Sequence, residues 1–422
     1  MKINQVCYRT REMDNPAALA TYESLGGYTV LKKILTEKIA PAEIVETLKS
    51  SVLRGRGGAG FPTGLKWSFV NRDKPGPKYV ICNSDESEPG TSKDRDILRF
   101  NPHQLLEGMA IGCYVMGAHV GYNFMRGEFW EPFRVVEGAL NEAIAAGYLG
   151  DRPFGSDYAI HLHNHRTGGA YICGEETALM NALEGKRGMP RFKPPFPANY
   201  GLYGAPSNIN NTESFASVPV ILQKGAQWFA DLGTEKSGGT KIFTVSGHVA
   251  RPGNYEIPLG TPFEDLLALA GGMLNGAALK AVIPGGSSMP VLPADIIRKT
   301  RLDYESLVAA GSMLGSGGMM VMDESTCMVR VLERLMRFYK HESCGQCTPC
   351  REGSGWVYRL VHRIEQGQAT KSDLLQLEKT AKNIEGRTIC VFGEAIAWPV
   401  AGMLRHFYDE FEYHIQHGCC PV

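Results

Sequence analysis

The sequence predicts three parts: a Rossmann-like α/β domain, an α+β domain of the ubiquitin-like (β-grasp) kind, and a C-terminal helical bundle. Three observations lead to this prediction. Helical patterns alternate with short apolar strands in 1–235, which is typical of a mainly parallel sheet. The order strand, hairpin, strand, helix follows in 236–330. Amphipathic helical patterns then fill 331–422, so we place the domain boundaries between these three ranges.

Length and composition limit the classes of protein to which the chain can belong. Its 422 residues are too many for one ordinary hydrophobic core, and 44 basic residues balance 44 acidic ones. A balanced charge provides no global field for nucleic acid or an anionic membrane. Residues 1–16 lack the apolar core of a secretory signal, and no apolar run reaches membrane-spanning length. We therefore expect a soluble intracellular protein whose 11 cysteines are thiols or metal ligands rather than disulfides.

A glycine-rich stretch, 54–66, is the first sign of a bound ligand. Five glycines within ten residues, flanked by Arg54, Arg56 and Lys66, allow backbone N–H groups to approach an anion. The stretch contains G-x-G-x-x-G, but a helical pattern at 41–53 precedes it where a dinucleotide fold has a strand. Pro62 and Gly64 follow, so we predict a wide loop. A glycine-rich turn without ligand is the alternative, and the three cations favour a phosphate site.

A polar loop follows the first predicted strand. The run at 79–82 is β-branched and aromatic, as in buried strands, and the segment NSDESEPG comes directly after it. Ligands of open α/β sheets bind outside the carboxyl ends of strands, so Asp85, Glu86 and Glu88 are placed to accept hydrogen bonds from ribose or ring N–H groups. A solvated acidic turn is one alternative. A divalent-metal site is a weaker one, because no other oxygen ligands are evident.

Helical patterns at 102–120 and 133–148 enclose a strand-like piece at 122–125, as expected for a parallel sheet. His161, His163 and His165 alternate along the next predicted strand and would share one face. A metal site there needs a fourth ligand, and none is in view. We therefore favour an exposed strand face and assign the three histidines no role.

A second ligand-like stretch runs from 168 to 179. Small residues and Tyr171 lead into Glu175 and Glu176 at the start of a helix predicted to end near 183. Carboxylates at this position also complement the helix dipole without any ligand. A stiff loop at 191–197 offers a cation and aromatic rings, and 208–213 is predicted to begin another helix, with amides that cap it or hold a planar ligand.

The pattern changes after a predicted linker at 233–239. Strands at 241–245 and 255–257 flank a turn at 251–253, and a helix is predicted at 262–270. No chemistry is visible in this part, so an interaction or spacer module is the simplest interpretation.

Four cysteines in the last part have the spacing of a metal centre. Cys344, Cys347 and Cys350 form C-x2-C-x2-C between two predicted helices, and Cys390 supplies a distant fourth thiolate. This pattern is typical of a 4Fe-4S cluster, whereas structural zinc more often uses two separated C-x2-C pairs. We assign the adjacent Cys419 and Cys420 no role. The other cysteines are expected to pack as small hydrophobic residues: Cys7, Cys82, Cys113, Cys173 and Cys327.

Taken together, these motifs resemble the NADH-oxidising flavin subunits of bacterial respiratory complex I (NADH:quinone oxidoreductase), the 51-kDa-type family. They occur in the family's order and span nearly the whole chain. The segments that carry the resemblance are RGRGGAGFPTG at 54–64, CNSDESEPG at 82–90, YICGEETAL at 171–179, CGQCTPCR at 344–351 and WPV at 398–400.

The resemblance implies FMN in the first domain, NADH as the electron donor and a 4Fe-4S cluster in the bundle, bound by Cys344, Cys347, Cys350 and Cys390. No side chain needs to act as nucleophile or general base, because hydride and electron transfer are the chemistry of the cofactors. Ser214 stands where the family often has Thr and keeps the hydroxyl, whereas we expect no flavin contact from Phe392. The FMN site would comprise Gly55, Arg56, Gly57, Lys66, Asn83, Asp85, Glu86, Ser87, Tyr171, Gly174, Glu175, Glu176, Asn210, Asn211 and Ser214. The NADH site would comprise Gly58, Phe61, Phe69, Glu88, Glu176, Lys193 and Phe196.

The resemblance also implies partners and a location. The partners would be a small thioredoxin-like 2Fe-2S subunit and a large iron–sulfur subunit, on the cytoplasmic side of the inner membrane. The close alternative is the diaphorase subunit of an NAD-linked hydrogenase or formate dehydrogenase. Those subunits often carry an extra cluster domain, and this chain has neither the length nor the cysteines to include one. A non-enzymatic metal-cluster or zinc scaffold is the alternative from another class, and a flavin-free dehydrogenase is a third.

Overall fold

The computed structural model describes residues 2–422. The part up to the predicted linker combines one sheet with many helices. Its strands are β1 Tyr79–Ser84, β2 Val120–Met125, β3 His161–Arg166 and β4 Ser207–Asn211. Its helices are α1 Leu19–Ser24, α2 Thr29–Thr36, α3 Pro41–Ser50, α4 Thr63–Ser68, α5 Lys93–Phe100, α6 Pro102–Met116, α7 Trp130–Ala145, α8 Glu176–Leu183, α9 Thr212–Lys224 and α10 Ala226–Ala230. Short 3-10 turns lie at Pro153–Gly155, Tyr171–Gly174 and Leu202–Gly204.

The first sheet has the strand order β3-β2-β1-β4, and each neighbouring pair is parallel. Tyr79 of β1 is in register with Val120 of β2 on one side and with Ser207 of β4 on the other. The predicted parallel α/β sheet is therefore confirmed. The order of strands reverses between β1 and β4, and such a switch point is where open α/β sheets bind ligands.

Two local predictions were wrong. Residues 208–211 were predicted to begin a helix, but they lie in β4 and pair with β1, because β1 takes a parallel neighbour on each side. The helix α9 begins only at Thr212, with the Asn211 Oδ1 accepting from the N–H of Glu213 as its cap. The glycine stretch was expected to be followed by loop alone, whereas the short helix α4 begins at Thr63 and contains Gly64.

A second set of strands follows: β5 Thr240–Gly247, β6 Gly253–Pro258, β7 Thr261–Pro262, β8 Leu279–Ile283, β9 Leu292–Pro293, β10 Arg301–Leu302 and β11 Gly318–Asp323. Five of them form a sheet in the order β6-β5-β11-β8-β9. In this sheet β5 and β11 are parallel and the other neighbours are antiparallel, while β7 and β10 form a separate antiparallel pair. The helices of this part are α11 Phe263–Leu269, α12 Ala294–Ile297 and α13 Tyr304–Ala309, with a 3-10 turn at Leu274–Gly276.

Four longer helices complete the chain, at the positions where helical patterns were predicted: α14 Met328–Glu342, α15 Thr348–Glu365, α16 Lys371–Ile384 and α17 Phe392–His417. Cys344 and Cys347 lie in the segment between α14 and α15, Cys350 lies in the first turn of α15, and Cys390 lies just before α17. In 2–422 no helix combines the length and the apolar character that crossing a membrane requires.

The strand β1 joins two hydrophobic cores. Alternate residues of a strand point to opposite faces, so Val80 and Cys82 face one way and Ile81 the other. Val80 and Cys82 are fully buried in a core formed with the helices of the first part. Ile81 is fully buried in a core that α8 shares with α14–α17. The C-terminal helices and one face of the first sheet therefore belong to the same hydrophobic core.

Candidate functional site

The glycine loop, residues 55–62, lies at the switch point of the first sheet. The N–H of Gly55 donates to the carbonyl of Phe61 at 2.8 Å, which closes the loop. A Cβ on Gly57 would lie 3.1 Å from the Cβ of Asn211, the residue that ends β4. Gly60 has a φ of +65°, and a Cβ there would lie 2.5 Å from the ring of Tyr304. Small residues are therefore required for the loop to fit between the end of β4 and α13.

The three cations in and beside this loop have different hydrogen-bond and ion-pair partners. The Arg56 guanidinium is fully buried and donates to the backbone carbonyls of Gly238, at 2.7 Å, and Arg54, at 3.2 Å. Its backbone N–H donates to the Ser214 hydroxyl at 2.8 Å. Arg54 forms an ion pair with Glu305 and lies over the ring of Tyr304. Both arginines therefore hold the loop in place, and Lys66 is the cation that extends toward the open side of the site.

The end of β1 presents a carboxylate with an unsatisfied atom. The Asn83 amide donates to the carbonyl of Gly174 at 2.8 Å, and Ser87 donates to Asp85 Oδ1 at 3.0 Å. The other oxygen, Asp85 Oδ2, is buried and has no hydrogen-bond partner. Burial raises the pKa of the Asp85 carboxyl to about 7. A buried acceptor in this state is ready for a donor from a ligand, such as a hydroxyl group.

The two glutamates that follow make protein contacts. Glu86 accepts from the N–H groups of Asp94, at 2.8 Å, and Arg95, at 3.0 Å, and so caps α5. Burial and the nearby Asp94 charge raise the pKa of Glu86 to about 7. Glu88 accepts from the Tyr171 hydroxyl at 2.7 Å and from both the N–H and the hydroxyl of Ser288 at 2.8 Å. Glu88 thereby connects the first sheet to the loop after β8.

Glu176 lies between two lysines. Its carboxylate pairs with Lys193 at 2.7 Å and with Lys66 at 3.3 Å. Burial favours the neutral acid, but the two ammonium groups outweigh it and lower the pKa of Glu176. Its neighbour Glu175 accepts from the N–H groups of Thr177 and Ala178, which makes it the cap of α8. The predicted helix start at these two glutamates is confirmed.

Aromatic rings border the same side of the site. Phe61 and Phe69 form a tilted pair with ring centroids 5.9 Å apart. Both are exposed, as is Phe196 in the loop that carries Lys193. Exposed aromatic faces beside lysines are suited to a planar, anionic ligand such as a nucleotide.

A buried charge network lies behind the glycine loop, and sequence reasoning missed it. Glu213 at the start of α9 pairs with Lys241 of β5 at 2.6 Å and with Lys93 of α5 at 3.0 Å. Lys93 also pairs with Asp94 at 2.6 Å and donates to Asn211 at 3.2 Å. Burial opposes ionisation, but the two lysines lower the pKa of Glu213 to about 2. In the sequence, 93–96 is a run of charged residues, and nothing in it indicates that the side chains at its ends are buried.

The asparagines at the end of β4 complete this side of the site. Asn211 donates to Asp94 at 2.6 Å while its Oδ1 accepts from Lys93. The Asn210 amide donates to the side-chain oxygen of Asn208. The side-chain NH2 group of Asn208 donates in turn to the backbone carbonyl of Lys66 at 3.0 Å. The structure thus brings together the glycine loop, the end of β1, the end of β4 and α8.

The four cysteines of the predicted cluster line one small cavity, together with Ile172, Pro190, Gln346, Ile389 and Phe392. A single zinc ion would draw four sulfur atoms to within about 3.8 Å of one another. Within residues 2–422 there is one group of three metal-ligating side chains whose ligand atoms all lie within 4.8 Å of one another. None of the four cavity cysteines belongs to that group. The wider spacing fits a multi-iron cluster better than one ion.

Two further groups of possible metal ligands lie outside the sites described above, and only one of them has the spacing of a single-ion site. His161, His163 and His165 lie on one face of β3 but do not form a group with single-ion spacing within the described chain. Cys327 was expected to pack as a small hydrophobic residue. It does pack, partly buried, against the core of the C-terminal helices, and it also forms the compact group of three ligating atoms with His414 and Cys420.

Comparisons with known proteins identify the family. The chain is 50% identical over 400 residues to the F subunit of NADH-quinone oxidoreductase from Rickettsia bellii, covering 94% of this chain and 95% of that protein. It is 50% identical over 417 residues to F subunit 2 of NADH-quinone oxidoreductase from Rhizobium meliloti, covering 99% of both. The chain belongs to the family of NADH-quinone oxidoreductase F subunits. The resemblance found in the sequence motifs is therefore confirmed.

Family profiles and a solved structure agree with this membership among the F subunits. Residues 48–220 match the Nuo51 FMN-binding domain, 242–292 an SLBB domain, and 330–414 the NADH-ubiquinone oxidoreductase-F iron-sulfur binding region. The fold is similar to a chain of an NAD+-reducing [NiFe]-hydrogenase in the H2-reduced state, with a TM-score of 0.84 and 35% identity. That match covers 94% of this chain and 66% of the hydrogenase chain.

The residues of this chain fit the two cofactors of the family. The unpartnered Asp85 Oδ2 at the end of β1 provides the acceptor that a hydroxylated chain requires. Four cysteines converge on one cavity with a spacing too wide for one ion. Both observations are properties of the chain itself and agree with FMN and a 4Fe-4S cluster.

Proposed function

We propose that this chain oxidises NADH with bound FMN and delivers the electrons to a 4Fe-4S cluster, as the electron-input subunit of a complex I type NADH-quinone oxidoreductase. One segment carries this proposal, because Tyr171–Gly174 contacts both sites. Gly174 accepts a hydrogen bond from Asn83 at the end of β1, while Ile172 lines the cysteine cavity. The Tyr171 ring packs against Phe392, another residue of that cavity, with centroids 5.6 Å apart. A short path therefore joins the two sites.

The FMN site of this proposal is the cradle at the switch point. The backbone of Gly55, Arg56 and Gly57 with Lys66 would hold the phosphate, since N–H groups and an ammonium suit an anion. Asn83, Asp85 and Ser87 would receive the ribityl chain. The remaining members of the set would border the ring or support its neighbours: Glu86, Tyr171, Gly174, Glu175, Glu176, Asn210, Asn211 and Ser214. FMN supplies the chemistry when bound, because it accepts a hydride and releases electrons one at a time.

The NADH site of this proposal lies on the open side of the cradle. Phe61, Phe69 and Phe196 would stack on the adenine, and Lys193 would pair with the pyrophosphate. Glu176 holds Lys193 and Lys66 in position by its two ion pairs. Gly58 leaves the backbone accessible, and Glu88 fixes the loop after β8 against the site. None of these residues needs to move a proton, because their contribution is to orient the dinucleotide and exclude water.

The finer architecture belongs to the same proposal. We assign residues 1–235 to the FMN and NADH domain, 236–330 to a ubiquitin-like β-grasp domain and 331–422 to the cluster-bearing bundle. The mixed five-stranded sheet with α11 supports the second assignment. The packing of α14–α17 around one core, with all four cysteines at the ends of these helices, supports the third.

The partners in this proposal come from the family resemblance, and an exposed surface beside the cluster supports them. Val391, next to the cluster residue Cys390 in the chain, is 74% exposed, which leaves an apolar side chain on the surface. We assign this side of the chain to a small thioredoxin-like 2Fe-2S subunit and a large iron–sulfur subunit that accept the electrons. The assembly would lie on the cytoplasmic side of the membrane, with this chain in a peripheral position. We assign it no nucleic-acid partner.

Anaerobic titration of the purified chain with NADH tests the proposal. Bleaching of a flavin absorption band, with about one FMN and four irons per chain, is the expected result. A colourless protein that contains zinc and no FMN would overturn it and favour a non-enzymatic scaffold. FMN bound at full occupancy but unchanged by NADH would overturn the assignment of the donor.

A second candidate is the diaphorase subunit of an NAD-linked hydrogenase, favoured by the similarity to the hydrogenase structure. The 66% coverage of that chain, against 95% and 99% of the F-subunit relatives, makes it the weaker candidate. Purification from the source cells separates the two. A membrane complex that reduces quinone with NADH supports the first candidate, and a complex with hydrogen-dependent NAD+ reduction supports the second.

A further inference from the structure

A compact group of metal-ligating side chains lies apart from the cysteine cavity. It consists of Cys327, His414 and Cys420, whose ligand atoms all lie within 4.8 Å of one another. It is the single group of this kind in residues 2–422. The proposed function uses none of the three residues. We call this group the tail site, because Cys420 belongs to the C-terminal tail.

The spacing of the tail site matches one tetrahedral ion. With zinc–sulfur bonds of about 2.3 Å and a zinc–nitrogen bond of about 2.0 Å, tetrahedral angles place sulfur and nitrogen about 3.5 Å apart. The Sγ of Cys327 lies 3.2 Å from Nε2 of His414. The second sulfur lies within the same 4.8 Å limit, so modest side-chain adjustments bring all three atoms to bonding distance.

The fold holds the three residues in place from different elements. Cys327 is the cap residue of α14, where its sulfur accepts from the N–H of Arg330 at 3.4 Å. His414 lies in the last turn of α17 and is 1% exposed. Gly418 follows with a left-handed φ of +69°, and the tail turns there so that Cys420 reaches His414. The group therefore connects the start of α14 with the end of α17 and the tail that follows α17.

The histidine itself points to a ligand. Its Nε2 atom faces the Cys327 sulfur within the group, at 3.2 Å, while its Nδ1 atom is buried and has no hydrogen-bond partner. A metal-bound histidine likewise uses one ring nitrogen for the ion and keeps the other away from it. The nearest carboxylate on α17, Glu410, is already paired with Lys280 at 2.6 Å and accepts from the N–H of Met328. Sulfur and imidazole nitrogen are therefore the donor set of the site.

We propose that Cys327, His414 and Cys420 bind one thiophilic divalent ion of the Zn2+ class, with solvent in the fourth position. Two thiolates and an imidazole are the ligands that such an ion prefers, and two thiolates balance its charge. The ion fastens the C-terminal tail to the junction between the second sheet and α14. This site is separate from the iron centre, and it does not depend on the activity of the chain.

Metal analysis of the intact chain tests this proposal. Protein with its full iron content is incubated with one equivalent of Zn2+, desalted, and assayed for zinc and iron. Full iron content ensures that zinc does not occupy the cysteine cavity. We expect about one zinc per chain in the wild type, and a loss of at least tenfold in Cys420→Ser and His414→Gln. Cys419→Ser is the matched control, because its exposed thiol is adjacent in sequence but outside the group, and it should keep the zinc.

The ligand set has its own spectroscopic test. Absorption at the zinc edge is separate from that of iron, and it should report two sulfur ligands at about 2.3 Å and one nitrogen at about 2.0 Å. Zinc content equal in the wild type and Cys420→Ser overturns the proposal, as does a wild-type chain without zinc at full iron content. A Cys327–Cys420 disulfide in protein prepared without reductant overturns it as well. Cys420 lies in the tail, so its replacement tests the site without disturbing the packed helices.

Discussion

Replacing Asp85 by asparagine is expected to stabilise the FMN-free protein and to weaken its binding of FMN. Asp85 Oδ2 is buried without a partner, and burial raises the pKa of this carboxyl from 3.8 to about 7. An acid with a raised folded pKa destabilises the fold above its unfolded pKa, and the penalty is complete above its folded pKa. The penalty for Asp85 therefore increases between about pH 4 and pH 7.

The two pKa values give the size of the effect. The penalty is about 1.5 kcal/mol at pH 5 and about 4 kcal/mol at pH 8.5. Asparagine has no charge, so the variant gains about 2.5 kcal/mol more relative to the wild type at pH 8.5 than at pH 5. If the chain unfolds cooperatively, this difference corresponds to about 3 °C in Tm.

FMN reverses the sign of the effect. The proposed role of Asp85 is to accept a hydrogen bond from a ribityl hydroxyl, and hydrogen bonds to charged groups contribute about 1.5–3 kcal/mol. Asp85→Asn should therefore bind FMN about 10- to 150-fold more weakly. A residue that destabilises the protein alone and stabilises its complex is expected at a binding site and not at a purely structural position.

Two measurements check this prediction. Tm of the FMN-free wild type and variant is measured at pH 5 and pH 8.5, and Kd for FMN follows from the quenching of its fluorescence. Asp14→Asn, at an exposed carboxylate, is the control and should show no such pH-dependent difference. Equal Tm differences at the two pH values would refute the buried titration, and an unchanged Kd would refute the contact with FMN.

Three further predictions concern the loop, the charge network and the cluster. Gly60→Ala should lower Tm and flavin content, because its Cβ would meet Tyr304 at 2.5 Å; Gly76→Ala, also at a positive φ but with nothing within 4 Å, should keep its flavin. Equal flavin loss in both would contradict the steric argument. Glu213→Gln leaves Lys241 without its buried carboxylate and Lys93 with only Asp94, and it should cost about 3–5 kcal/mol, or about 3–6 °C in Tm. A change as small as that of the exposed Glu46→Gln would count against the network. Cys390→Ser should lose most of the cluster iron while NADH still reduces ferricyanide through FMN, and full iron content in this variant would exclude Cys390 as a ligand.

Local motifs were readable in the sequence because their chemistry depends on short spacing. Cys344, Cys347 and Cys350 are close neighbours in the chain, so the cluster could be predicted before any fold was known. Glu175 caps α8 as expected, since a cap and its helix are adjacent. The alternation of strands and helices likewise predicted the parallel sheet, because periodicity reports burial directly.

Contacts between distant segments were not readable. Asn208 and Asn210 have poor strand propensity, and their place in β4 is set by pairing with β1. Lys241 sits in an apolar run, and nothing in that run shows that Glu213 lies 2.6 Å away. Cys420 was given no role, because its neighbours Cys327 and His414 come from other elements. The residues next to each member of such a pair give no indication of its partner.

The burial of both faces of β1 restricts how such a protein can be rearranged by recombination. A gene fragment ending near residue 235 would lack the helices α14–α17, which share a hydrophobic core with Ile81. The same fragment would remove Lys241 from Glu213 and Tyr304 from the glycine loop. Although the sequence suggests three modules, residues of each one pack against, or form ion pairs with, residues of the others. We therefore expect the three to be inherited as a block, with new domains added at the termini and not between them.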